Sequence, residues 1–208
     1  MEFQYYGANC IKISTKRASV VLDDNLSDLG GKSPMKAGDI ALYTGAHGGS
    51  GVETKIVIDQ PGEYEVSNVS IHGVSARAHM DEEDKKTATV FKITTEDIKV
   101  LAVGHIYPEL SDQQLEEIGM IDIMLLPVGG NGYTLDVVGA LKVIKMVEPK
   151  LIIPTHYDDT TLNYPVPQQP LDEVIKQLGI ESQETLPKLK IKSGELPEII
   201  KVVILEKQ

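Results

Sequence analysis

The stretch IDIMLLPVGGNGYTLDVVGALKVIKMVEPKLIIPTHY, residues 121–157, decides the fold class. It opens with a continuous apolar run, IDIMLLP, which predicts a strand buried on both faces. The segment LDVVGALKVIKMV predicts a helix, because Val137 and Ile144 share one face, and Thr134 is its predicted N-cap. Pro149 ends this helix, and KLIIP predicts a second buried strand. A strand, a helix and a strand in this order predict an α/β fold.

The rest of the chain adds strands and a few short helices. In the first half, short runs rich in Val, Ile and Tyr predict strands, among them ASVVLD, DIALYT and IKVLAVG. Glu96-Asp97 predicts a hairpin turn, and Ser111 with Gln114 has the form of a capping box. Later, LDEVIKQLG predicts a helix, and KLKIK and IKVVILE predict strands. We expect one domain over residues 1–208, with an antiparallel-rich sheet packed against helices.

Composition and charge limit the kinds of partner. The chain has a net charge of −11, which disfavours nucleic acids and anionic membrane surfaces as partners. It has no run of 18 apolar residues and no signal-peptide pattern at its start, so we expect neither a membrane span nor secretion. The single cysteine, Cys10, allows no intrachain disulfide, fits a cytoplasmic location and is expected in the core. A small-molecule substrate is the expected partner, and a homo-oligomer is left open.

Histidines are the candidate chemical groups. Four of the five closely follow a predicted strand, and His72 lies inside its strand. The four are His47, His79, His105 and His156. Strand ends are where α/β folds place reactive groups, so these four side chains are expected to approach one edge of the sheet. The alternative for each is a hydrogen-bonded structural histidine.

The order of landmarks resembles the metallo-β-lactamase superfamily, specifically the branch of metal-dependent hydrolases similar to ascorbate-6-phosphate lactonase. Between residues 3 and 157 the landmarks are YYGANC, VVLDD, LYTGAHGGS, PGEYEV, LAVGHI, IDIMLLPVGG with YTLD, and IIPTHY. The segment 121–157 carries most of the resemblance, and the last fifty residues carry less. The resemblance implies a four-layer αββα sandwich.

The superfamily's metal motif, Thr-His-x-His-x-Asp-His, is altered in this chain. It corresponds to TGAHGGS at residues 44–50, where His47 is the one ligand that is kept. Gly45 and Ser50 occupy two histidine positions, and Gly49 occupies the aspartate position. Two adjacent dications need anionic ligands, so these changes argue against an ordinary two-metal site.

Three further histidines match ligand positions outside that motif. His79 and His156 match the later and final histidines, and His105 stands where the bridging aspartate belongs. The resemblance then implies one metal ion or none. His47, His79 and His105 would supply three imidazoles to zinc, with His156 as a fourth ligand or a hydrogen-bonding neighbour. Other divalent metals remain open.

The resemblance also implies supporting residues around the metal. Asp23 matches the aspartate after the early apolar strand and would orient a ligand or a loop, although a solvated strand-end acid is the alternative. Gly129, Gly130 and Tyr133 belong to a loop that would lie near the substrate. The alternatives there are a flexible turn for the glycines and packing for the tyrosine.

Two functions compete on this evidence. The first is metal-dependent hydrolysis of a small ester-, lactone- or phosphate-bearing substrate at a reduced, mononuclear or altered histidine site. The second is a catalytically inactive module of the same fold that binds a ligand or a partner. A nuclease of the superfamily is disfavoured by the acidic charge and by the lack of a basic stretch.

Overall fold

A computed structural model describes residues 1–49, 51–180 and 182–208 of the chain, without the side chains of 182–184. Within these residues it contains 14 strands, three α-helices and two short 3₁₀ helices. The strands are β1 (Glu2–Gly7), β2 (Cys10–Ser14), β3 (Ser19–Leu22), β4 (Ile40–Leu42), β5 (Ile56–Ile58), β6 (Gly62–Val66), β7 (Val69–Ala76), β8 (Ala88–Thr95), β9 (Ile98–Ala102), β10 (Ile123–Pro127), β11 (Leu151–Thr155), β12 (Ser182–Leu186), β13 (Leu189–Lys190) and β14 (Lys201–Leu205). The α-helices are α1 (Asp112–Ile118), α2 (Val137–Val147) and α3 (Leu171–Leu178), and the 3₁₀ helices are Leu26–Leu29 and Ser193–Glu195.

The strands form two mixed sheets. The first has the order β13-β1-β2-β3-β4-β5, with antiparallel pairs as far as β3 and parallel pairs from β3 to β5. The second has the order β12-β14-β11-β10-β9-β8-β7-β6. It is antiparallel from β6 to β9 and parallel from β9 through β12. The single antiparallel-rich sheet that the strand pattern predicts is therefore divided into two mixed sheets.

The two sheets pack face to face around the largest apolar cluster. Alternate residues of the first sheet, such as Phe3 and Ile11, meet alternate residues of the second, such as Phe91 and Ile93. Side chains along a strand point to opposite faces in turn, so one face of each sheet supplies this core. This arrangement confirms the sandwich that the resemblance implies.

The outer faces of the sandwich are covered differently. All three α-helices pack on the second sheet, through residues such as Ile118, Val143 and Val174. The outer face of the first sheet is covered by the 3₁₀ helix Leu26–Leu29 and nearby loops, and Cys10 is buried there as predicted. In the described residues, α-helices thus cover the second sheet alone, and the first sheet is covered by a single 3₁₀ turn and loops. No helix in the described ranges is both long enough and apolar enough to cross a bilayer.

The segment that decides the fold class forms as predicted, except at the helix cap. β10 is buried throughout, α2 follows it, and β11 pairs with β10 in parallel. Thr134 is not the cap, because Tyr133 and Thr134 donate their backbone N–H groups to Gly130 and extend the loop. Asp136 is the cap instead, and its carboxylate accepts a 2.7 Å hydrogen bond from the backbone of Gly139.

Local turn and cap signals elsewhere are confirmed. Glu96 and Asp97 form the predicted hairpin turn with φ values of 51° and 61°. Ser111 and Gln114 form the predicted capping box at the start of α1. β12 is an unpredicted strand, because its sequence SQETL is too polar to give an apolar strand pattern.

Candidate functional site

A cavity of about 530 Å³ lies at one end of the sandwich and is lined by four histidines. His47 follows β4, His79 follows β7, His105 follows β9 and His156 follows β11. β7, β9 and β11 run in the same direction, since β8 is antiparallel to both β7 and β9. The structure therefore brings the four predicted site histidines to one cavity. His72 lies within β7, opposite Glu63 and Lys92 of the neighbouring strands.

His105 and His156 form a close pair in the wall of this cavity, and His156 is buried while His105 is half-buried. Their ring centroids are 4.5 Å apart and the rings meet edge to face. Burial, together with the neighbouring imidazoles of His156 and His79, lowers the pKa of His105 to about 3. Burial also lowers the pKa of His156 to about 4. Both rings are therefore neutral near pH 7, which is the form that binds metal or accepts a proton.

A glutamine fixes the orientation of His156. The Nδ1 atom of His156 lies 3.1 Å from Oε1 of Gln168, whose Nε2 donates to the Val166 carbonyl. The glutamine oxygen only accepts, so His156 donates from Nδ1 and keeps its lone pair on Nε2. The backbone supports this geometry, because His156 has a φ of 53° and its N–H donates to the Ala8 carbonyl at 2.7 Å.

His79 is connected to His105 through the backbone. The N–H of His79 donates to the carbonyl of His105 at 2.8 Å. The Nδ1 atoms of His79 and His105 are both buried and have no hydrogen-bond partner among the described residues. A buried polar atom without a partner costs about 1–3 kcal/mol, so these two nitrogens favour a bound group that would pair with them.

His47 lines the same cavity and is held there by two neighbours. Its ring stacks on Tyr43, with centroids 3.7 Å apart and planes 7° apart. Its Nε2 atom lies 3.2 Å from Oδ2 of Asp59, which follows β5. The carboxylate accepts, so the lone pair of the neutral ring lies on Nδ1. That Nδ1 atom is buried and lacks a partner within the described part of the chain.

Asp23 supports the loop that leads to His47. Its buried carboxylate accepts hydrogen bonds from the backbone N and the Oγ1 of Thr44, both at 2.7 Å. Burial raises the pKa of Asp23 to about 6, against the lowering effect of these bonds and of His47. Thr44 also packs against Gly104, where a Cβ would lie 2.3 Å from Oγ1 of the threonine. This position fits the orienting role that the resemblance implies for Asp23.

Aromatic side chains surround the histidine pair. Tyr133 lines the cavity with its ring 4.9 Å from His105 and 5.8 Å from His156. Tyr164 lies on the other side, 5.0 Å from His156. Such rings exclude water from the imidazoles and offer apolar faces to a ligand.

The glycines before Tyr133 serve packing in this structure. A Cβ on Gly129 would lie 1.9 Å from Oε1 of Gln168 and 2.2 Å from the carbonyl oxygen of His156. Gly130 has a φ of 66° and donates its N–H to the Leu135 carbonyl. The glycines therefore allow the loop to approach His156 closely. The N–H of Gly130 is already used within the loop, so it does not offer itself to an anion.

The donors suit a divalent cation by type, but they do not gather at one point. Neutral imidazoles with available lone pairs are common zinc ligands. In the part of the chain that the structure describes, no three His, Cys, Asp or Glu side chains are close enough to hold one ion. His47 is tied to Tyr43 and Asp59, while His156 is tied to Gln168. The assignment of the four histidines as metal ligands stays a prediction.

The glycines of the altered motif are not required by packing. No described atom lies within 4 Å of a Cβ built on Gly45 or on Gly49. A side chain at Gly45 would therefore fit without a clash, whereas Gly49 has space but a φ of 77°, which favours glycine. Ser50, the last position of the motif, lies outside the described residues.

Asp59 and Gln168, which contact two of the site histidines, have no place in the sequence-based prediction. Asp59 had a usable signal, because it directly follows the short run KIVI, just as His47 follows DIALYT. Gln168 had none, since it stands in a proline-rich loop whose path no periodic pattern predicts.

Comparisons with known proteins agree with this fold. A family model described as a β-lactamase superfamily domain matches residues 2–156. A metal-dependent hydrolase of Archaeoglobus fulgidus, from the group named UPF0173, is 31% identical over 113 residues, which are 53% of this chain and 46% of that protein. The chain spans less than half the length of the curated relatives that it matches.

Solved structures extend the likeness to the whole chain. A protein of Thermotoga maritima, assigned as a Zn-dependent hydrolase of the metallo-β-lactamase superfamily, is 30% identical with a TM-score of 0.77. The alignment covers 100% of this chain and 99% of that protein. A metal-dependent hydrolase structure from Parabacteroides distasonis is 19% identical, with a TM-score of 0.65 over 99% of this chain and 93% of its own, and shows a likeness of fold alone.

Proposed function

Because this chain belongs to the metallo-β-lactamase superfamily, we propose that it is a metal-dependent hydrolase of a small ester-, lactone- or phosphate-bearing molecule. One observation carries the proposal. Four histidines from four strand ends line one cavity, and three of them have a buried Nδ1 atom without a partner in the described residues. The hydrolase assignments of the relatives from Archaeoglobus fulgidus and Thermotoga maritima support the same reaction class.

The metal site is proposed to be reduced to one divalent cation. His47, His79 and His105 would supply three imidazoles to it, with His156 as a fourth ligand or a hydrogen-bonding neighbour, and all four line the cavity. As these side chains stand, no three of them in the described residues are close enough to hold one ion, so binding would require them to move together. The two carboxylates that help to balance a second dication in the superfamily motif are replaced, at Gly49 and His105. A bound cation would polarise the scissile group and lower the pKa of a bound water.

Neighbouring residues of the chain orient the histidine rings. Asp59 keeps a proton on Nε2 of His47, and Gln168 keeps one on Nδ1 of His156. Each contact leaves the lone pair on the other ring nitrogen. Asp23 and Thr44 hold the loop that leads to His47.

The test combines metal binding with turnover. Tag-free, chelator-treated protein is titrated with Zn²⁺ by calorimetry and then assayed on the lactone dihydrocoumarin and on bis(4-nitrophenyl) phosphate. We expect about one Zn²⁺ per chain and metal-dependent hydrolysis of one of the two compounds, both lost in His105→Ala. His72→Ala is the matched control and should change neither. A chain that binds no metal in excess Zn²⁺ would contradict the proposal.

A second candidate is a catalytically inactive protein that binds a small ligand or a partner in the same cavity. It is favoured by the separation of the donors, since no three of them in the described residues share an ion-binding position. The same titration separates the two functions. Saturable binding of the lactone without metal uptake and without turnover would support the inactive module.

A further inference from the structure

We propose that the cavity takes an uncharged ester or lactone with an apolar or aromatic body, and that it discriminates against phosphate-bearing molecules. This inference rests on the proposed function and narrows its substrate class. It is carried by the charges of the cavity wall, by two aromatic side chains and by one buried amide.

The charged wall of the cavity is acidic. Among the described residues that line it there is no Lys or Arg, while Asp23 and Asp28 are both present. Asp59 adds a carboxylate beside His47. Phosphate groups are normally held by arginine forks or by lysine, and each carboxylate near the path of a dianion raises its free energy.

Two backbone N–H groups near the cavity are already used within the protein. The N–H of Gly139, in the first turn of α2, donates to the Asp136 carboxylate. The N–H of Gly130 donates to Leu135 within the loop. No residue of α2 is among the described residues that line the cavity, so its N-terminus does not replace the absent cations as a phosphate site there.

The remaining walls suit an apolar body. Tyr133 and Tyr164 face the histidine pair, and Met80 lines the mouth with 76% of its surface exposed. Aromatic faces and a flexible thioether pack against the apolar parts of a ligand and need no charged group on it. Pro165 continues this wall beside Tyr164.

Asn9 supplies a donor for a carbonyl oxygen. It lines the cavity, it is 8% exposed, and its Oδ1 accepts a 2.7 Å hydrogen bond from Oγ1 of Thr155. This contact fixes the amide so that Nδ2 is the remaining group. Nδ2 is buried and has no partner within the described ranges. An ester or lactone carbonyl would satisfy it without bringing in a charge.

Hydrolysis of an ester or lactone fits the acidic wall of the cavity. The oxygen of water bonds to the acyl carbon, the bond from that carbon to the alkoxy oxygen breaks, and the alcohol leaves with one proton. The new carboxylic acid releases its proton to solvent and becomes an anion. A lactone gives both groups in one hydroxy acid. The carboxylate product is repelled by Asp28 and Asp59, which favours its release.

A matched pair of probes tests the charge preference. Methyl benzoate and phenyl phosphate share an aromatic ring and differ in the charge of the attached group. NMR titrations at low ionic strength are run on the full chain after chelation, because a bound dication would itself attract the phosphate. We expect methyl benzoate to bind tighter than phenyl phosphate by about tenfold or more. Equal or tighter binding of phenyl phosphate, or binding of neither probe, would overturn the inference.

Asn9→Asp tests the carbonyl donor with little change in shape. The variant keeps an oxygen that accepts from Thr155 and replaces the Nδ2 donor with a second oxygen. We expect it to weaken methyl benzoate about tenfold and to leave toluene, which has the ring without the carbonyl, unchanged. Equal loss for both probes, or no loss for the ester, would contradict the role of Asn9.

Asp28→Lys tests the wall charge, with Glu116→Lys as its control. Asp28 is exposed at the mouth, and Glu116 is exposed on α1, so both changes add two positive charges. We expect only Asp28→Lys to tighten phenyl phosphate, by several-fold at low salt. Equal tightening in both variants would refute a local effect.

The two proposals can fail separately. A chain that prefers the ester but does not hydrolyse it would contradict the proposed function and leave this inference standing. A chain that prefers the phosphate and shows metal-dependent hydrolysis would contradict this inference and leave the proposed function standing.

Discussion

The Nε2 atom of His47 lies 3.2 Å from Oδ2 of Asp59, and the two residues follow neighbouring parallel strands, β4 and β5. The pairing of these strands therefore places a carboxylate beside the one histidine that the altered motif keeps. It differs from the aspartate of the superfamily motif, whose position the resemblance assigns to Gly49. Asp59 acts on the cavity through the ring of His47.

Asp59→Asn is expected to weaken Zn²⁺ binding about tenfold, because outer partners of ligating histidines typically contribute 10–100-fold to affinity. We expect the lower end of this range because the side chain of Asp59 is 41% exposed and water screens its charge. Calorimetric titration of the chelator-treated protein measures the change. Asp172→Asn, an exposed acid on α3, is the control for lost charge. An equal decrease in both variants would show that overall charge, and not the His47 contact, is responsible.

Gly129→Ala is expected to destabilise the fold by about 1–3 kcal/mol or more, since the new Cβ would overpack a filled site. The Cβ would meet Oε1 of Gln168 at 1.9 Å and the carbonyl oxygen of His156 at 2.2 Å, and the second contact is with backbone that does not rotate away. Urea unfolding of both proteins measures the loss. Gly45→Ala is the control, because no described atom lies within 4 Å of its Cβ. A stable Gly129→Ala protein would show that the close approach is not required.

Stability is expected to fall as the pH rises from about 4 to 6 through the carboxyl of Asp23. Burial raises the pKa of this group from 3.8 to about 6, so the folded chain holds a proton that the unfolded chain has released. The native state binds more protons in this window, and the linkage sign makes the free energy of unfolding decrease with pH. At about 1.36 kcal/mol per pKa unit the full effect is roughly 3 kcal/mol.

The variant Asp23→Asn removes this titration. Urea unfolding of both proteins at pH 4 and at pH 7 gives the difference between their pH dependences. We expect the wild-type chain to lose about 2–3 kcal/mol more than the variant over that interval. Parallel pH profiles for the two proteins would mean that the pKa of Asp23 is not raised in the folded state.

The sequence predicts the gathering of the histidines but not the contacts that orient them. His47, His79, His105 and His156 can be expected at one edge because each follows a predicted strand, and strand ends are where α/β folds place reactive groups. Oriented side-chain pairs depend on loops, whose paths carry no periodic signal. The contact of His156 with Gln168, twelve residues on through a proline-rich loop, is such a case.

The strand pattern also does not predict the division into two sheets. Alternating and continuous apolar runs predict that strands exist and which faces they bury, but each run is compatible with either sheet. For example, β1 pairs with β13, which is almost a whole chain length away, and no local pattern predicts that pairing. The sandwich could be predicted only from the family resemblance, which rests on whole segments such as residues 121–157.

Thr134 is the N-cap that the sequence predicts for α2, and Asp136, two residues later, is the one observed. Both are residue types that cap helices. The structure gives the role to Asp136, while Oγ1 of Thr134 is buried without a partner among the described atoms. Asp136→Ala should therefore cost about 1 kcal/mol, the usual value of a lost N-cap. Thr134→Val, which keeps the shape and removes an unpaired hydroxyl, should be neutral or stabilising by up to about 1 kcal/mol. Urea unfolding of the two variants measures both changes. If Thr134→Val lowers the free energy of unfolding more than Asp136→Ala does, Thr134 is the N-cap.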